Sequence, residues 1–163
     1  MSDYDDLCSE DQGISAPWDE LDPAAVVVAH DGFVSADGID AEAWGQTVFL
    51  PLVMLHQGGT EVVEDRDEFI AHMERLWQKA REHGIAGLRT RILSHVQPRD
   101  DMAILSTFRD RLDARGNVMA STSITWTVLR TPGGWKINQI HFNDARFDPS
   151  LVTQVSEGGR GRE

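Results

Sequence analysis

Hydrophobic positions along this chain change their period once. Over residues 67–83 the apolar residues Phe69, Met73, Leu76 or Trp77, and Ala80 recur at helical spacing. Asp65 and Glu68 stand at the distance of a capping box at the start of this stretch, and Gly84 follows as a residue that tolerates positive φ. The spacing predicts a helix from Asp67 to His83. Beyond Gly84 the period becomes two: Leu88, Thr90, Ile92, Ser94 and Val96 alternate with Arg89, Arg91, Leu93 and His95. Turn residues at Pro98–Asp101, Asp113–Asn117 and Thr131–Gly134 then separate three further strands, Met102–Leu112, Val118–Arg130 and Trp135–Asn143. Strands joined by such short turns form an antiparallel meander.

Ahead of the central helix the punctuation is equally specific. Asp22-Pro23 opens a helix, with Asp22 as N-cap and Pro23 in the first turn, where its missing N–H costs nothing. The apolar run Ala24–Ala29 continues to Phe33 and Val34 before Asp37-Gly38 breaks it. Asp40 caps a second, short helix through Ala41 and Trp44. Leu50–Leu55 reads as a strand interrupted at Pro51, Gln57–Thr60 as a turn and Glu61–Glu64 as a short return strand. Helices first and a long meander second predict an α+β domain whose helices cover one sheet face. The expected organisation is a disordered acidic tail over residues 1–16, one domain over residues 17–154, and a flexible tail over residues 155–163.

This order resembles the nuclear-transport-factor-2-like superfamily, which includes polyketide-cyclase-like, ketosteroid-isomerase-like and scytalone-dehydratase-like domains. The resemblance spans Pro23 to Asn143 and includes the ending Trp126-Thr127-Val128-Leu129-Arg130 and Gly134-Trp135-Lys136-Ile137, followed by a polar stretch with His141. It implies a cystatin-like cone, a curved antiparallel sheet wrapped around the N-terminal helices, whose mouth admits a small apolar ligand. It also implies dimerisation through the outer sheet face. Ketosteroid isomerases in this superfamily place a Tyr on the first helix, where this chain has Phe33. They place an Asp base near His56 or Gln57, and a protonated Asp where Trp126 or Thr127 stands. A steroid isomerase needs that acid pair to hold an enolate, so this activity is excluded. The fold hosts enzymes and binding modules alike.

Composition narrows the classes further. The 163 residues allow one core, and 40% hydrophobic residues suffice to build it. One cysteine, Cys8, excludes an intramolecular disulfide. The net charge is −12, with no Lys or Arg before Arg66, which argues against a nucleic-acid partner. The acidic N-terminal half is either a solvated surface or an arm that folds over a basic one. No apolar run reaches the ~20 residues of a membrane span, and no basic residue precedes one at the N-terminus. A cytoplasmic protein is expected.

Candidate chemistry centres on the last strand. Alternation puts Trp135, Ile137, Gln139, His141 and Asn143 on one face. With Trp135 and Ile137 anchored against the helices, Gln139, His141 and Asn143 are expected to point into the cone. There they form either a buried hydrogen-bond network or a site in which His141 transfers a proton. His56, at the end of the first long strand, is either a turn residue or a second catalytic histidine opposite His141. Trp126, Phe33 and Trp77 complete the expected ligand lining. Arg109 and Arg111 read as rim or dimer-interface charges. No metal-ligand spacing is present and no cofactor is expected. Two functions remain open. One is a cofactor-independent pocket protein that binds, and as an enzyme isomerises, dehydrates or cyclises, a small apolar organic molecule. The alternative is a non-catalytic dimeric module whose cone is filled by its own tryptophans. A homodimer through the outer face is expected, because Ile140, Phe142 and Leu93 would otherwise leave apolar surface in water beside a long sheet.

Overall fold

A computed structural model describes residues 19–35, 38–56 and 58–143. The predicted acidic tail with Tyr4 and Cys8, Asp37, Gln57 and the C-terminal tail lie outside them. The elements are α1 (Pro23–Asp31), β1 (Val34–Ser35), β2 (Gly38–Ile39), α2 (Ala41–Thr47), β3 (Val48–His56), β4 (Gly59–Val63), α3 (Arg66–Glu82), β5 (Gly87–Arg99), β6 (Met102–Leu112), β7 (Val118–Thr131) and β8 (Gly134–Phe142).

The helices start where short acidic side chains can take up free amides. The Ala25 N–H donates to Asp22 Oδ1 at 2.8 Å. The Glu42 and Ala43 amides donate to Asp40 Oδ1 at 3.1 and 3.0 Å. The Glu68 amide donates to Asp65 Oδ1 at 3.1 Å. Each such cap contributes about 1 kcal/mol. At the far end of α3, Gly84 adopts φ 92°, which lets the Ile85 amide turn back onto the Ala80 carbonyl at 3.1 Å.

The six long strands form one sheet in the order β4-β3-β8-β7-β6-β5. Strands β5 to β8 make the predicted antiparallel meander. The sheet is not antiparallel throughout, because β3 pairs with β8 in parallel. The hairpin partner β4 occupies one edge of β3, and β8, ending the meander, closes onto the other edge in the same direction. Pro51 lies in the break of the β3–β8 ladder between Val48 and Val53, where its missing donor is tolerated.

Two bulges move side chains to faces that strict alternation does not predict. In β8 the pairing passes from Thr127↔Gln139 to Val128↔Ile137, so Asn138 is an extra residue. Trp135 and Ile137 are buried before the bulge, and Ile140 and Phe142 after it. The phase of β8 is thereby inverted, since one inserted residue sends every later side chain to the other face. Ile140 and Phe142 do not face outward as expected, and the homodimer argued from them loses that ground. In β5 a second bulge at Leu93 separates Ile92↔Thr107 from Ser94↔Ser106. His95 therefore pairs with buried Leu105 and does not share the face of Arg89 and Arg91.

Helices α1, α2 and α3 lie on the face that carries Leu105, Ile124, Trp126 and Ile137. Phe69 of α3 stacks on Trp44 of α2 with ring centroids 5.0 Å apart. Val26 and Val27 of α1 are sealed in the same core, as are Trp77 of α3 and Trp135 of β8. Among the described residues, no helix is long and apolar enough to cross a membrane.

Candidate functional site

The helix-covered face also buries charge. The inward phase of β6, set by Ala103 and Leu105, continues through Thr107, Arg109 and Arg111. Arg109 meets Asp31 at the end of α1: Nη2 and Nε donate to Oδ1 at 2.8 and 3.2 Å. Thr90, directly opposite Arg109 in the β5–β6 ladder, donates its hydroxyl to Asp31 Oδ2. The carboxylate is 4% exposed and the guanidinium 12%. Removing both charges from water costs several kcal/mol per ion, which their attraction and the Thr90 bond must offset. Arg111 donates to Thr122 Oγ1 at 2.6 Å in the same layer.

His30 sits one residue before Asp31 and is buried with it. Helical spacing places it three and four residues after Val27 and Val26, on the core side of α1. Its ring meets Phe33 at 5.2 Å, Trp44 at 6.3 Å and, edge-on, Trp126 at 5.5 Å. Trp126 is itself fixed by its Nε1–H, which donates to Thr107 Oγ1 at 2.8 Å, and the Arg109 guanidinium lies 5.8 Å from its ring. Burial lowers the His30 pKa to about 4; the Asp31 charge opposes this shift and the Arg109 charge adds to it. The imidazole is therefore neutral at pH 7.

The tautomer follows from its neighbour. The Thr47 hydroxyl donates its single proton to the Trp44 carbonyl at 3.0 Å and so can only accept from His30 Nδ1, 3.1 Å away. Nδ1 carries the proton, and Nε2 presents a lone pair. Nε2 hydrogen-bonds to none of the described residues, yet no buried side-chain nitrogen or oxygen among them lacks a partner. The His30 residue as a whole is 3% exposed. His30, Arg109 and the fully buried Trp126 are thus packed together, each oriented by a neighbour of its own.

The predicted site residues divide. Phe33 and Trp126 do pack around His30, and Trp77 is buried in the adjoining core. His141 is exposed on the opposite face, moved there with Gln139 and Asn143 by the Asn138 bulge. Asn143 spends its amide on Ser123 Oγ and Thr125 Oγ1 at 3.1 and 2.9 Å. His56 ends β3 at the hairpin to β4: its Nδ1 accepts from the Gly58 amide at 3.1 Å, and Nε2 lies 3.7 Å from Glu61 Oε1. Since Leu55 is the residue paired with His141, His56 points to the other side of the sheet, and the two histidines do not form a pair. Sequence reasoning missed His30, Asp31 and the inward Arg109. The signals were there: the Val26, Val27, His30 stripe, and a β6 phase that stays unbroken from Ala103 to Arg111. Among the described residues, no group of three or more His, Cys, Asp or Glu side chains is placed to hold a metal ion.

Residues 30–145 match the family described as NTF2-like protein (DUF6841). No curated protein matches the chain. Among solved structures it is similar to an NTF2-like protein of unknown function from Shewanella oneidensis MR-1, with TM-score 0.57, 15% identity, 73% of this chain covered and 93% of the other. It is likewise similar to a protein with a cystatin-like fold from Nostoc punctiforme, with TM-score 0.56, 13% identity, and 73% and 85% of the two chains covered. The Kfla4162 protein from Kribbella flavida gives TM-score 0.59 at 10% identity, covering 85% of this chain and 99% of that one. At these identities the likeness shows the fold.

Proposed function

The chain belongs to the NTF2-like family DUF6841, and from that premise we propose that it is a small-molecule-binding protein whose ligand lies against His30, Arg109 and Trp126. The observation that carries this reading is the fixed His30 tautomer. Thr47 and the Trp44 carbonyl hold the ring so that Nε2 is an acceptor, and the imidazole and the Arg109 guanidinium both lie against the Trp126 ring. Apolar pockets with a few converging polar groups are the usual form of small-ligand sites. The complementary molecule is small and largely apolar, with a hydroxyl or similar donor for Nε2 and a carbonyl-type acceptor for Arg109. Asp31 already balances the guanidinium, so an uncharged ligand is favoured over an anion.

Chemistry at this site would use His30 as the base and Arg109 to hold a developing oxyanion, which suits isomerisation, dehydration or cyclisation. A base whose conjugate acid has a pKa near 4 is far from its optimum at neutral pH, so binding is better supported than proton abstraction. The test is a titration of the full chain with small alicyclic and aromatic hydroxy-ketones, read by the side-chain nitrogen resonances of His30 and by thermal stability. A binder is expected to move His30 Nε2 and the Trp126 indole, and His30→Phe to weaken it about tenfold, the worth of one hydrogen bond. A binder that leaves both resonances unmoved, or binds His30→Phe equally well, would contradict the proposal.

The second reading, a non-catalytic module with a filled cone, is favoured by the burial of all four tryptophans expected to fill it, Trp44, Trp77, Trp126 and Trp135. It predicts that no member of the panel stabilises the protein.

A further inference from the structure

One corner of the sheet face turned away from the helices carries a cluster of charge. Asp110 of β6 is fully buried there between two arginines of β5. Arg89 donates from Nε and Nη2 at 3.1 and 2.9 Å, Arg91 from Nε and Nη2 at 2.7 and 2.9 Å, and Ser121 from its hydroxyl at 2.6 Å. Burial disfavours the Asp110 charge, but the bonds from Arg91, Ser121 and Arg89 overcome this and hold the carboxyl at about 2. Two guanidiniums against one carboxylate leave a surplus positive charge. Both arginines are about half exposed, at 51% and 47%, and Nη1 of each stands outside the bonds to Asp110. Along β7 the neighbouring outward positions are Ser123, Thr125 and Thr127, which carry no charge to offset it.

The chain has one stretch suited to such a corner. Its first 22 residues hold eight carboxylates and no Lys or Arg. It enters the described structure at Asp19, whose carboxylate acts on the Lys136 ammonium of β8, raising a pKa that burial lowers. Three strand spacings, about 14 Å, separate β8 from β5. Eighteen residues reach up to roughly 60 Å, so length is no obstacle. We propose that the acidic segment of residues 1–18 docks on the Arg89–Arg91 corner of its own chain, with its carboxylates on the outward guanidinium nitrogens. Docked there, it covers the edge strand β5, where Leu93 and Val96 are exposed and backbone groups would otherwise offer themselves to another chain. A second copy of the same face is the poorer occupant, since it brings the same surplus charge.

The experiment uses the full-length chain. In the variant D3N/D5N/D6N/E10Q/D11N, the Nε–H resonances of Arg89 and Arg91 are expected to shift. The wild type in about 1 M NaCl, where the Debye length is ~3 Å, should shift in the same direction. A nitroxide on Cys8, the only cysteine, should erase the amide signals of Arg89, Arg91 and Ser121. Unmoved arginine resonances in the variant would overturn the proposal. So would signal loss appearing only when nitroxide-labelled chains without isotope are mixed with isotope-labelled chains without nitroxide, which would place the segment on a second copy.

Discussion

Replacing Asp31 with Ala is expected to destabilise the protein by about 3–5 kcal/mol, the cost of stranding one partner of a buried ion pair. Arg109 would keep its charge at 12% exposure with no carboxylate beside it, and the Thr90 hydroxyl would lose its acceptor. Arg109→Met should cost a similar amount, because Asp31 would then have to be buried either charged and unpaired or protonated. The double variant Asp31→Leu/Arg109→Met removes both charges while filling the space, and should recover most of the loss. Denaturant unfolding of the four proteins closes the cycle. Single changes that each cost less than about 1 kcal/mol, and simply add, would mean that water screens the pair. Arg109 would then not be held in place for a ligand.

Stability should fall by roughly 3 kcal/mol between pH 6.5 and pH 4 through His30 alone. The folded-state pKa is lowered from 6.5 to about 4, so the unfolded chain takes up the proton first as pH drops. At neutral pH both states hold the ring uncharged and there is no penalty. Moving down through 6.5, the unfolded state gains a proton that the folded state refuses, and the loss is complete once pH passes the folded value. About 2 kcal/mol should already be gone at pH 5, where few carboxylates have begun to titrate. Unfolding free energies at pH 7, 6 and 5 measure this limb, and His30→Phe should remove it while retaining the fold. A wild-type profile flat between pH 7 and pH 5 would show that the ring is hydrated.

How much of this could be read from the chain depends on the range of the interaction responsible. Asp22, Asp40 and Asp65 act on amides two or three residues away, so all three helix starts are visible in the sequence. Helix α3 runs over Arg66–Glu82, one residue earlier at each end than its hydrophobic stripe suggests. The meander is legible for the same reason, since its turns are local. The Asn138 and Leu93 bulges are not, because each reflects how a strand registers against its neighbour, and nothing within β5 or β8 marks it. That single feature carried His141, Gln139 and Asn143 to the wrong face in a strictly alternating reading. Arg109 was obscure for another reason. Arginine on a strand suggests an exposed rim until Asp31, 78 residues earlier, is known to lie against it.

The most direct measurement is the tautomer and titration of His30, read from its two ring nitrogens by long-range proton–nitrogen correlation between pH 4 and pH 8. The predicted result is a pyrrole-like Nδ1 bonded to hydrogen, a pyridine-like Nε2 without one, and no titration until the pH approaches about 4. Thr47→Val should disturb that tautomer, since it removes the acceptor that fixes it. A proton found on Nε2 in the wild type, or a midpoint near the ordinary histidine value of about 6.5, would contradict the preorganised acceptor on which the proposed function rests.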